Sequence, residues 1–236
     1  QLARSLQSSG AVSVALNART AAELPCGYWL IVADDDAIAQ GEAGTAPIMV
    51  LVGGSAVTVK PKAATPKVQK HVLEDSTAAW QKAADATVAD DLYWRLSATV
   101  PAGLAAYDTY AVQFVDTMSA GLDPSKVAAS VRVYVAAGAD GGFDAVSADK
   151  DGRAGTEPAK GWTDITARCR VSVDGKTFIV RTGDLIAALG GADAFTAGAR
   201  VVAVYNAPLN SACNHGIAKG NPNEVYLRYP RSPFAD

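Results

Sequence analysis

The sequence predicts an all-β protein: an antiparallel sandwich of immunoglobulin type over residues 66–236, preceded by a smaller, partial β-rich unit over residues 1–65. Three observations predict it. Short apolar runs with period-two alternation recur through the second part, Gly, Pro and Asp turns separate them, and a single segment of that part carries a helical signature. Composition permits the core this needs, since 49% of the 236 residues are hydrophobic and 19% are charged, far from the balance of a disordered chain.

In the first unit, Gln1 to Ser9 reads as a short helix. Tyr28-Trp29-Leu30-Ile31-Val32 is a strand, bounded by Pro25 and Gly27 before it and by Asp34-Asp35-Asp36 after it. Ile48 to Val52 and Val57 to Val59 are two more strands, with Gly53-Gly54 between them as a tight hairpin or bulged turn. Lys60-Pro61-Lys62-Ala63-Ala64-Thr65-Pro66 has too little apolar content to pack and reads as a linker.

In the second unit the alternation is regular. Val68, Lys70 and Val72 share one strand face, as do Leu92, Trp94 and Leu96, then Val112, Phe114, Asp116 and Met118, then Val131, Val133 and Val135. Cys169, Val171 and Val173 follow, then strands over Thr177 to Arg181 and Val201 to Tyr205, and finally Asn223, Val225, Leu227 and Tyr229. Asp184 to Leu189 is the one helix, with Thr182 as its N-cap and Gly190-Gly191 ending it.

Charge and motif content exclude several functions. Lys plus Arg number 21 against 24 Asp plus Glu, a formal charge of -3, which removes the driving force for wrapping a nucleic-acid backbone. No apolar run reaches the roughly 20 residues of a membrane span. The first residues lack an initiator Met and the pattern of a secretion signal, as expected of a processed fragment. Cys26, Cys169 and Cys213 are too scattered for a disulfide framework or a zinc site; a single Cys169–Cys213 disulfide and buried free thiols are both open. The two histidines, His71 and His215, read as incidental surface or loop residues. No nucleophile elbow, phosphate loop or metal-binding pair is present, so neither an enzyme acting on external substrates nor a cofactor is indicated. Asp140, Asp144, Asp149 and Asp151 in the 136–158 loop lack the regular spacing of a calcium site.

Three inward parities carry a polar residue: Lys70 between Val68 and Val72, Asp116 between Phe114 and Met118, and Asn223 ahead of Val225. Each alone is also compatible with a solvent-facing edge position. If all three meet in a core, burial must neutralise them, because an isolated buried charge costs several kcal/mol. Desolvation then makes Lys70 a neutral, nucleophilic amine and Asp116 a neutral acid. Such an acid can polarise the Asn223 carbonyl while the amine attacks it, releasing ammonia and leaving an amide cross-link. The reaction runs once per molecule.

The segments Pro66-Lys67-Val68-Gln69-Lys70-His71-Val72, Phe114-Val115-Asp116-Thr117-Met118-Ser119-Ala120-Gly121-Leu122 and Asn223-Glu224-Val225-Tyr226-Leu227-Arg228-Tyr229 resemble, in order and spacing, the isopeptide-forming second domain of sortase-assembled fimbrial subunits of Gram-positive bacteria. The resemblance implies a collagen-adhesin-type immunoglobulin sandwich, a Lys70–Asn223 isopeptide bond and Asp116 as the acid that forms it. Asn221 is the second choice for the amide and Lys67, of opposite parity, for the amine. Tyr229-Pro230-Arg231-Ser232-Pro233 departs from the continuation usual in that family. Leu24-Pro25-Cys26-Gly27-Tyr28-Trp29-Leu30 resembles a strand of the preceding fimbrial domain, with Cys26 where a small residue is common. Val57-Thr58-Val59-Lys60-Pro61-Lys62 loosely resembles the pilin motif, with Lys60 in place of its usual Tyr. That likeness makes Lys62 the intermolecular linkage point, and a solvated linker lysine is the competing reading. The implied partners are other pilin subunits joined by sortase, and the implied location is extracellular, at the cell wall. Against this structural role stands a surface adhesin module binding host protein or glycan, with the Gly- and Asp-rich loop from Ala136 to Pro158 as its recognition surface.

Overall fold

The computed structural model describes residues 13–16, 21–34, 38, 44, 47–59, 65–88, 90–102, 104–142, 144–149, 151–215 and 220–231. The helix expected over Gln1 to Ser9 and the lysine Lys62 lie outside the described residues. The chain divides into two compact units, Gln1–Thr65 with Pro230–Asp236, and Pro66–Tyr229.

In the first unit, strand β1 (Gly27–Ile31) pairs antiparallel with β2 (Ile48–Val52), Tyr28 opposite Leu51 and Leu30 opposite Met49. The expected strand over Val57 to Val59 is not formed. Strand β2 takes β1 as its ladder partner, and neither Gly53 nor Gly54 has the positive φ that a primed hairpin turn after β2 requires.

The second unit is an immunoglobulin-like sandwich of two antiparallel sheets. The larger sheet has the order β4 (Ala79–Gln81), β3 (Val68–Glu74), β5 (Tyr93–Thr99), β11 (Arg200–Asn206), β7 (Arg132–Ala136) and β8 (Thr163–Asp164). The smaller sheet has the order β12 (Asn223–Arg228), β6 (Gln113–Met118), β10 (Thr177–Arg181) and β9 (Arg170–Asp174). Alternate residues of each sheet meet in one core. Leu96, Val133, Val201, Ala203 and Tyr205 from the larger sheet pack with Phe114, Met118, Phe178 and Val180 from the smaller one. Burying each such side chain contributes roughly 1.5 to 3 kcal/mol. Strands β9 and β10 join through a two-residue turn in which Gly175 takes φ +56, a conformation open to glycine at little cost.

Among the described residues of the second unit two short α-helices interrupt the strands, where the sequence predicts one. Helix α1 (Val127–Ser130) continues a 3-10 turn over Pro124–Lys126, whose N-cap is Asp123. Helix α2 (Leu185–Ala188) lies within the expected Asp184 to Leu189 segment. Its N-cap is Asp184, whose carboxylate accepts from the Ile186 N–H, and not Thr182. The Thr182 hydroxyl accepts instead from the Val112 N–H at 2.9 Å, tying that backbone to β6.

Described residues between 137 and 162 pack against the outer face of the larger sheet. Ala145, Val146 and Trp162 form a second cluster with Tyr134, Ala136, Val202 and Val204. Arg95 is buried under it, ion-paired with Asp144 and lying 4.9 Å from the Trp80 ring. Part of the segment expected to present a recognition loop is therefore buried. The carboxylate of Asp149 accepts from the Asp151 and Arg153 N–H groups, and among the described residues no group of three or more His, Cys, Asp or Glu is placed to hold a metal ion.

Candidate functional site

Strand β3 opens the second unit and β12 closes it, and the two lie against each other although they belong to different sheets. Lys70 sits opposite Leu96 of β5, on the face that also carries Val68 and Val72. Asp116 sits between Val225 of β12 and Phe178 of β10. Asn223 pairs with Met118 at the start of β12. Period-two alternation sends all three side chains toward the space between the sheets.

There they form a connected chain. The Lys70 ammonium donates to Asp116 Oδ2. Tyr205, at the end of β11, donates from its hydroxyl to the same oxygen at 3.2 Å, and accepts from Asn223 Nδ2 at 2.8 Å. Asp116 is 0% exposed and the Lys70 side chain 9%. Aromatic rings line the site: Lys70 Nζ is 5.2 Å from the Trp94 ring centre and 5.9 Å from that of Tyr205, which packs edge-on to Phe178 at 4.6 Å.

Two buried oxygens, Asp116 Oδ1 and Asn223 Oδ1, have no hydrogen-bond partner among the described residues. Both are acceptors, so neither can satisfy the other unless the carboxyl carries a proton. Burial shifts both Lys70 and Asp116 toward the neutral state, and the attraction between them opposes it. Burial lowers the Lys70 pKa from 10.5 to about 8 against the opposing attraction of Asp116, with a smaller opposing contribution from Glu224. Burial likewise raises Asp116 from 3.8 to about 6, against the charge and hydrogen bond of Lys70. For the free side chains, moving a proton from ammonium to carboxylate costs about 9 kcal/mol, the gap between 10.5 and 3.8. In this site burial narrows that gap from both sides, lowering Lys70 and raising Asp116, so a neutral amine beside a neutral acid is far easier to reach than for the free side chains.

The other sequence candidates are placed elsewhere. The side chain of Asn221 is committed to a loop, accepting from the Asn214 N–H at 2.9 Å and donating to the Asn214 carbonyl at 3.2 Å. Lys67 is exposed. The Cys169–Cys213 disulfide is not formed, and all three cysteines are free. The Cys169 thiol donates to the Ile165 carbonyl at 3.3 Å, closing a local turn, and burial pushes it up to about 11. Cys213 is buried with its sulfur 3.8 Å from His215 Nε2.

Sequence reading missed Tyr205, which it treats only as the end of an apolar strand. A signal was present: Tyr205 shares the inward parity of Val201 and Ala203, and a buried tyrosine hydroxyl requires a polar partner. Trp94 was recognised as inward-facing without its role as a wall of the amine's pocket.

No family model and no curated protein matches this chain. Similar solved structures include the full-length pilus protein RrgB of Streptococcus pneumoniae, at 18% identity and TM-score 0.47 over 83% of this chain and 29% of that one. The T6 backbone pilin of serotype M6 Streptococcus pyogenes is similar at 16% identity and TM-score 0.48, over 86% of this chain and 39% of that one. The collagen binding domain of the Erysipelothrix rhusiopathiae surface protein RspB is similar at 15% identity and TM-score 0.37, over 69% of this chain and 38% of that one. The chain thus spans between 29% and 39% of the length of these structures, as a distant likeness.

Proposed function

We propose that this chain is a structural subunit of a cell-surface pilus whose second unit is stapled by an autocatalytic isopeptide bond between Lys70 and Asn223. The observation that carries the reading is the buried chain Lys70–Asp116–Tyr205–Asn223, which joins the first and last strands of the unit. A lysine, an acid and an amide under aromatic cover have no evident purpose as separate groups, because each must lose its hydration to be there.

The chemistry follows from the geometry. Asp116 takes a proton from the Lys70 ammonium, giving the neutral pair. The Lys70 amine attacks the Asn223 side-chain carbon while the Asp116 carboxyl donates a hydrogen bond to Asn223 Oδ1, stabilising the oxygen as it gains charge. The new N–C bond forms, the bond from that carbon to Nδ2 breaks, and Nδ2 departs as ammonia. The proton it needs is the one the attacking amine gives up. Tyr205 accepts from Nδ2 and donates to Asp116 Oδ2, so its hydroxyl is the relay between the acid and the leaving group. The product removes a buried charge. Packing holds the groups together in advance, which supplies the large effective concentration of an intramolecular reaction.

The test is intact mass. The purified chain should fall short of its sequence mass by one ammonia, and Lys70→Ala or Asp116→Ala should restore the full value. A full sequence mass for the unaltered chain would end the proposal. Assembly by sortase through Lys62, with attachment at the cell wall, is the further part of this reading. It predicts subunit ladders that survive boiling in detergent and disappear with Lys62→Ala.

A further inference from the structure

The outer face of the smaller sheet has a charge pattern that the strand register makes visible. Directly opposed residues form three outward rows across the four strands. The first is Arg228, Gln113, Arg181 and Arg170. The middle row is Tyr226, Val115, Ile179 and Ser172. The third is Glu224, Thr117, Thr177 and Asp174. One end of the face is thus basic, its centre is largely apolar, and its other end is acidic.

This pattern is unfavourable in an isolated sheet. Arg170 and Arg181 are directly opposite each other, a like-charge placement that destabilises a strand pair. Both are exposed, and neither has an ion-pair partner among the described residues. Arg228 lies over Tyr226 of its own strand, which is itself 49% exposed at the centre of the face. A shallow depression of about 340 Å³, lined by Gln113, Arg170, Ser172, Ile179 and Arg181, opens at the basic end.

We infer that the partner of this face is the same face of a second copy of the chain. Two sheets packed face to face with nearly aligned strands admit two kinds of two-fold axis between them. An axis parallel to the strands sets arginine row on arginine row. An axis parallel to the rows reverses each strand over its own counterpart. It places Arg170 over the second copy's Asp174, and Arg228 over its Glu224, twice each by symmetry. Tyr226 and Ile179 then close on their own copies over Val115, which is buried beneath the face, and the depression receives the incoming Asp174 side chain. Charge selects the second axis. The acidic row also argues against an extended polyanion lying along the whole face, because it would repel one end.

The association is weak by size. Four strands about 4.8 Å apart and three rows about 6.8 Å apart make a patch of roughly 400 Å² per copy, near 800 Å² in total. That is below the roughly 1,200 to 2,000 Å² of stable complexes. Such a contact serves chains already held at high local concentration, such as neighbouring molecules on one surface or fibre.

The experiment is sedimentation equilibrium of the 236-residue chain up to about 1 mM protein, at about 20 mM and about 500 mM salt. A dimer at low salt that weakens at least tenfold at high salt is expected. The acidic variant Arg170→Glu with Arg228→Glu and the basic variant Asp174→Arg with Glu224→Arg should each be monomeric alone, and should form a one-to-one heterodimer when mixed. Circular dichroism and melting of each variant establish that it is folded. A wild-type chain monomeric throughout, or folded variants that do not combine, overturns the inference. So does retention of a sulfated polysaccharide at physiological salt without self-association, which would assign the face to an external polyanion.

Discussion

Replacing Asn223 by Ala removes the proposed electrophile and leaves the Lys70–Asp116 pair in place, so it isolates the covalent tie. The bond would close a loop of 153 residues, from position 70 to position 223. In the chain-entropy treatment of cross-links, a loop of that length restrains the unfolded chain by about 5 kcal/mol at 25 °C. The second unit has 164 residues between Pro66 and Tyr229, for which each kcal/mol moves the melting temperature by about 2–4 °C. Asn223→Ala is therefore expected to melt about 15 °C lower by calorimetry at neutral pH, with its mass no longer short by one ammonia. Loss of the 2.8 Å hydrogen bond to Tyr205 adds only about 1 kcal/mol. A control, Asn221→Ala, should keep the mass deficit, since that side chain serves the Asn214 loop. If the mass changes as expected while melting moves by less than about 5 °C, the entropic reasoning is wrong. If only Asn221→Ala restores the mass, the bond is on the other asparagine.

Three further outcomes follow. Tyr205→Phe, which deletes the relay hydroxyl but keeps the ring, should slow bond formation by about 10- to 100-fold without preventing it; mass spectra taken at intervals after a pulse of synthesis would show the lag, and an unchanged rate would remove Tyr205 from the chemistry. In Asn223→Ala, Asp116 binds its proton more tightly folded than unfolded, so its contribution to stability is full below about pH 4 and is lost as pH rises through about 6; Lys70 binds its proton less tightly when folded, so stability is regained between about pH 8 and about pH 10.5. Each limb amounts to about 3 kcal/mol in urea titrations, with a minimum between about pH 6 and 8, whereas the cross-linked chain lacks the alkaline limb because an amide does not titrate; a maximum near pH 7 in the variant would contradict the pKa directions. Asp184→Ala should cost about 1 to 2 kcal/mol by the same titration, because its carboxylate serves both Ile186 and Tyr110 N–H groups, while an effect under about 0.3 kcal/mol would mean that water replaces it as a cap.

What the sequence made legible follows from which signals are local. Each strand of the sandwich core declares itself through a few alternating residues, as in Val112 to Met118, so the two sheets could be expected without knowing their pairing. Short edge strands such as Ala79–Gln81 and Thr163–Asp164 carry no such pattern, because two or three residues cannot display a period. Val57 to Val59 alternates as a strand does but gains no ladder, since pairing depends on a partner that local sequence does not specify. Lys70, Asp116 and Asn223 were visible as polar interruptions of apolar faces. Tyr205 was not, because tyrosine is half apolar and interrupts nothing. The Asp and Gly residues of the 137–162 segment read as a solvated loop; Ala145, Val146 and Trp162 among them are buried against a sheet face whose outward parity also carries Tyr134, Val202 and Val204.

The position of the proposed bond also decides what it protects. The chain enters the second unit four residues before Lys70 and leaves it six residues after Asn223. Strands β3 and β12, which in the proposed pilus role would take tension first, belong to different sheets and are not hydrogen-bonded to each other, so side-chain packing is what holds one to the other in the unlinked protein. Packing yields gradually under a pulling force and a covalent amide does not. With the bond formed, tension passes from β3 into β12 through two side chains, and only the short ends outside positions 70 and 223 can be extended. Every strand between them, with the whole core, is bypassed by the load. A disulfide at the same place would carry force equally well but would open under reduction, whereas an amide made from lysine and asparagine has no redox chemistry to lose.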